Sequence, residues 1–203
     1  SGWGALAGLP LHFSYGRCRL FVLLRQELAD GTVQGGATGL PVQFLSGVCR
    51  GRFGYDGHLY VCGLNGWQTA ARADGCLQRV RVTGKPLDVP TALEVKGHTV
   101  RLTFARPLDA KIAEKPDNFR AAWWNYRWSG DYGSKRWKVS DPTAEGQDDV
   151  PVRAAKLLAD GRTVELTFAE LKPVMQMQVG YNLTAADGAA VVGSVYLTIH
   201  DTK

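Results

Sequence analysis

The stretch TALEVKGHTVRLTFARPL (91–108) decides the class of fold. Val100, Leu102 and Phe104 alternate with polar residues, the two-residue period of a half-buried strand. Lys96-Gly97 breaks the run into two arms, which predicts a hairpin. The pattern repeats downstream. VPVRAAKLL (150–158) and TVELTF (163–168) flank Asp160-Gly161, and PVMQMQVGYNL (173–183) and VGSVYLTI (192–199) flank Asp187-Gly188. In the former of that last pair, Val174, Gln176 and Gln178 are read on one face, with Met175, Met177 and Val179 on the other. RAAWWNYRW (120–128) reads as an aromatic strand. DAKIAEKPDNF (109–119) reads as a short helical excursion with Asp109 as its cap. No long helical period is visible. About seven strands at regular spacing, joined by dipeptide turns, predict an antiparallel β-sandwich. Val100, Leu102, Phe104, Leu166, Phe168, Val179 and Tyr181 are its expected inward positions.

Upstream, the pattern shortens. LHFSYG (11–16), RLFVLL (19–24), VCRGRF (48–53), HLYVCG (58–63) and CLQRVRV (76–82) read as brief strands, with Asp56-Gly57 as a hairpin signal. GGATG (35–39) reads as a flexible loop, too isolated for a phosphate loop. Composition also changes along the 203 residues. Residues 1–84 hold eight Arg, four acids and no Lys, whereas 85–203 hold sixteen basic and fifteen acidic residues. All four cysteines precede residue 84 and four of six tryptophans follow it. Gly84, Pro86 and Pro90 interrupt regular structure between the two regions. The expected division is therefore a β-rich extension, 1–84, and a sandwich, 85–203.

The net charge of +5 is mild and no basic stripe stands out, so nucleic acid is not an expected partner. No apolar run approaches the roughly 20 residues of a membrane span. SGWGALAGLP (1–10) has no basic stretch before an apolar run and is not expected to be a signal peptide. The cysteine gaps of 31, 13 and 14 residues contain no zinc knuckle. Two disulfides or buried thiols both fit them, with Cys49 and Cys62 the easiest pair.

Several segments resemble the C-terminal part of large secreted bacterial proteins with a glucose/sorbosone dehydrogenase-like β-propeller, often beside a c-type cytochrome domain. They are GWGALAGLPLHFSYGRCRLF (2–21), SGVCRGRFGYDGHLYVCGLNGWQTAARADGCLQRVRVTGKP (46–86) and DPTAEGQDDVPVRAAKLLADGRTVELTFAELKPVMQMQVGYNLTAADG (141–188). The resemblance implies propeller-blade-like strands followed by an Ig-like sandwich, and a secreted or periplasmic location. It implies a propeller or cytochrome domain as partner. Residues 1–84 supply at most two blades of roughly 40–45 residues, too few to close a propeller around a quinone. No C-x-x-C-H offers covalent haem. No cofactor is expected, and open strand edges allow a homodimer.

Trp123, Trp124, Tyr126, Trp128, Tyr132 and Trp137 crowd fifteen residues. Such rings either fill the core or form a platform for the apolar faces of sugars. The expected ligand-binding set is Trp123, Asn125, Arg127, Trp128, Asp131, Tyr132 and Trp137, with carbohydrate as partner. Trp128 and Trp137 are expected to approach each other across a hairpin. Asp131, Asp141, Glu145 and Asp148 are the candidates for a hydrolase pair, which needs two carboxyls roughly 5–9 Å apart. Asp141, Asp148 and Asp149 are the candidates for a cation, although their spacing matches no EF-hand. Met175, Met177 and His200 offer a soft-metal set or core filler. His12, His58 and His98 are scattered. No G-x-S-x-G is present. The reading is a non-catalytic carbohydrate-binding or accessory module of a secreted sugar-oxidising system. The alternatives are a small sugar-acting enzyme using the acidic loop, metal-assisted or not, and a purely structural propeller fragment.

Overall fold

A computed structural model describes residues 2–203, so that only Ser1 of the expected extension lies outside it. The strands are β1 (Leu11–Ser14), β2 (Arg19–Glu27), β3 (Val33–Gly39), β4 (Gly47–Phe53), β5 (Leu59–Leu64), β6 (Gly75–Val80), β7 (Pro90–Lys96) and β8 (Thr99–Phe104). After helix α1 (Ala110–Ala113) come β9 (Phe119–Trp124), β10 (Asp148–Asp149), β11 (Val152–Leu157), β12 (Thr163–Phe168), β13 (Val174–Thr184) and β14 (Ala190–Ile199). The fold is all-β and sandwich-like, as the alternation predicts, and its sheets are antiparallel.

Two compact units result, 1–23 with 39–87 and 24–38 with 88–203. The sequence division at 84/85 thus falls at 87/88, and residues 24–38 group with the second unit. In the first unit β1 pairs with the start of β2, and β4, β5 and β6 form a three-stranded meander. Leu20, Val22, Val48, Leu59 and Val61 are buried there. This unit carries eight basic residues against two acids, and the second sixteen against seventeen. The cysteines are free thiols. A register shift between Val48 and Arg50 sets Arg50, not Cys49, opposite Cys62. The Cys49 thiol donates to the Cys62 carbonyl at 3.8 Å.

In the second unit one sheet runs β3–β14–β13–β9–β10 and the other β11–β12–β8–β7. All seven expected inward side chains are buried. The Phe104 ring meets the Tyr181 ring edge-on at 5.1 Å, joining the two sheets across the core. Asp109 caps α1, its carboxylate accepting from the Lys111 N–H at 2.8 Å.

Two expectations fail for identifiable reasons. GGATG is not a loop but most of β3. A Cβ on Gly35 would lie 1.9 Å from the Leu24 carbonyl oxygen, and one on Gly36 2.5 Å from that of Tyr196. Glycine is there because neighbouring backbone passes too close for any side chain. Met175 and Met177 do not share a face. A bulge between Val174 and Met177 shifts the register, burying Met177 completely and leaving Met175 52% exposed.

Candidate functional site

The aromatic stretch changes character at Asn125. Through Trp124 it is strand β9, held by β13 on one edge and β10 on the other. Trp123 stands opposite Met177 and is buried, with the Lys172 ammonium 5.5 Å from its ring centre. Trp123 is therefore a core residue and leaves the expected ligand platform. Trp124 points to the other face, opposite Gln176, and is buried too. It is covered by the Arg136 guanidinium, 4.0 Å from its ring centre. Among the described residues, the Trp124 Nε1–H has no hydrogen-bond partner.

Asn125 then closes the ladder. Its side-chain Oδ1 accepts the Met175 N–H at 2.9 Å, and its backbone exchanges two hydrogen bonds with Trp137. Residues 126–136 leave and return as a loop. That bridge puts Asn125, not Trp128, opposite Trp137. The face of Trp137 is taken by the Arg127 guanidinium, 4.1 Å from the ring centre, which also donates to the Pro142 carbonyl. The expected Trp128–Trp137 pair does not form, because the arginine occupies the place of the second ring. Trp128 instead stands 100% exposed and Tyr132 84% exposed, with Asp131 also exposed between them.

The acidic residues hold the base of this loop. The Asp148 carboxylate accepts from the Val139 N–H at 2.7 Å, the Ser140 N–H at 2.9 Å and the Ser140 hydroxyl at 2.6 Å. Burial pushes this carboxyl up, but the Ser140 and Val139 bonds outweigh it and hold it below the ordinary aspartate range. Asp141 accepts from the Thr143 hydroxyl and N–H, which likewise lower it. Glu145 pairs with Lys135 at 2.6 Å and keeps that ammonium charged to higher pH. Asp149 is exposed on β10, opposite Ala122. The oxygens of Asp141, Glu145 and Asp148 are thus spent on the loop's own donors, whereas Asp149 makes no such bond among the described residues. Among the described residues, no three His, Cys, Asp or Glu side chains gather as a metal set.

A hollow of about 540 Å³ lies beside the loop, lined by Asn125, Tyr126, Arg127, Trp137, Met175 and His200 among others. No carboxylate lines it among the described residues. Three of the seven expected ligand residues, Asn125, Arg127 and Trp137, meet here. Trp128, Asp131 and Tyr132 stay on the loop outside the lining. Lys138 and Pro142 also line the hollow, and neither carries a pattern of its own in the sequence. Met175 and His200, which the sequence offers as a soft-metal set or core filler, line it as well. The hollow offers an aromatic wall, a guanidinium, an ammonium and an imidazole, groups that bind and orient a polar ligand. No family model matches the chain, and no curated protein or solved structure matches it.

Proposed function

We propose that the second unit is a non-catalytic saccharide-binding module and that the loop 125–137 carries its site. The observation that supports this reading is Trp128. Its ring is wholly exposed, leaving in water an apolar surface of order 150–250 Å² that folding does not use. A flat ring accepts the C–H face of a sugar, while Arg127, Lys138 and Asn125 in the adjoining hollow supply partners for its hydroxyls. On the sequence resemblance, the module serves a secreted or periplasmic sugar-oxidising system beside a propeller or cytochrome domain.

Titration with a panel of neutral oligosaccharides, followed by tryptophan fluorescence, tests the reading. Wild-type protein responds to at least one saccharide, and Trp128→Ala weakens that binding at least tenfold. Its unfolding free energy stays within about 0.5 kcal/mol of wild type, as for other exposed substitutions. A wild type silent to the whole panel, or a folded Trp128→Ala variant that binds as well, overturns it.

A further inference from the structure

A second recess lies on the same sheet. The register sets Ala122 opposite Gln178, Arg120 opposite Gly180, and Gly180 opposite Ser194. Ala122, Gly180 and Ser194 are small, so the sheet face sinks between longer neighbours into a hollow of about 490 Å³. Arg120, Asp149 and Asn182 line it and are exposed. None of these three side chains makes a hydrogen bond or ion pair among the described residues. The Gln178 Nε2 donates to the Ser194 hydroxyl oxygen at 3.3 Å. That leaves the Gln178 Oε1 as an acceptor and the Ser194 O–H as a donor.

The chemistry of this lining selects a ligand class. An unpaired guanidinium and an unpaired carboxylate share one hollow, so it does not suit a simple polyanion or polycation. The one aromatic among its lining residues, Tyr181, is buried in the core and offers no open ring, so the recess does not suit an apolar ligand. A hydroxyl both donates and accepts, and satisfies the carboxylate, the guanidinium and the amides in turn. Position along the strands matters as well. Ser194 lines this recess and Thr198 lines the aromatic hollow, four residues on along β14 and so on the same face, about 13 Å away at about 3.3 Å each. Between them lies Trp124 under Arg136, and the Gln147 side chain that accepts from Arg136 lines the recess.

We infer that this recess is a second saccharide subsite, so that the protein grips a chain of sugar units lengthwise rather than a single sugar. The inference rests on the saccharide reading of the Trp128 loop and adds to it a ligand of several units. Gly180 allows a clean test, because a Cβ there meets nothing closer than 3.6 Å. Gly180→Val fills the recess without displacing backbone, and Asn182→Ala removes a rim group without filling it.

The probes are β-1,4-linked gluco-, xylo- and manno-oligosaccharides and α-1,4-linked gluco-oligosaccharides, disaccharide to hexasaccharide, titrated by calorimetry. Wild-type affinity rises at least tenfold with chain length in the series that binds. Gly180→Val abolishes that rise and Asn182→Ala reduces it. Both variants bind the disaccharide as wild type does, and circular dichroism confirms their folds. Length-independent affinity in the wild type, or full hexasaccharide affinity in both folded variants, overturns the subsite while leaving the Trp128 reading intact. A wild type that binds no saccharide overturns both.

Discussion

Trp124 and Trp128 are four residues apart in one aromatic run, yet the first is 1% exposed and the second 100%. Their hydrophobicity is identical; their neighbours differ. Trp124 lies on a strand with hydrogen-bonded partners on both edges, under a stacked arginine. Trp128 lies beyond Asn125, whose side chain occupies the next backbone donor of β13 and ends the ladder. An aromatic run is thus divided into core and surface by one amide, because burial depends on which backbone stands opposite.

This contrast can be broken at either end. The largest effect is expected at Trp124. Removing a buried indole costs about 3–5 kcal/mol, so Trp124→Ala loses that much in denaturant unfolding. A loss similar to the small one expected for Trp128→Ala would show that Trp124 is not core. Arg136→Ala sharpens the boundary at a smaller scale. It removes a cation stacked on the ring, an interaction of about 0.5–2 kcal/mol, and opens Trp124 to water. The expected readout is a red shift of tryptophan emission with a modest fall in stability; unchanged emission would mean that the arginine does not cover the ring.

The smallest expected effect is on pH dependence. Asp148 has its carboxyl held below the ordinary aspartate value. Its stabilising contribution is therefore complete above the unfolded value, near pH 4 as a rough figure, and is lost as pH falls through the lower folded value. Wild type should melt above Asp148→Asn at pH 7, with the gap closing on acidification. A gap that is constant with pH would mean that the Ser140 and Val139 bonds do not depend on the charge of Asp148.

Much of the fold was legible because alternation records which side chains face inward. TVELTF coincides with β12, and Val100, Leu102 and Phe104 all fall in the core. The sites were less legible. A continuous strand over 120–128 fitted the aromatic spacing, but nothing local reveals that Asn125 ends it or that Arg127 takes the face of Trp137. The recess of Arg120, Asp149 and Asn182 had no signal, since its residues come from three strands distant in sequence.

Local pattern suffices for the all-β class, the hairpin turns and the inward faces, because each depends on neighbours within a few residues. Long-range packing is what makes GGATG a strand, separates Met175 from Met177 by a bulge, and sets which tryptophans meet water. Those outcomes turn on the close approach and register of distant backbone, such as the Leu24 and Tyr196 carbonyls at β3. Pairwise contact between remote segments has no representation in local periodicity.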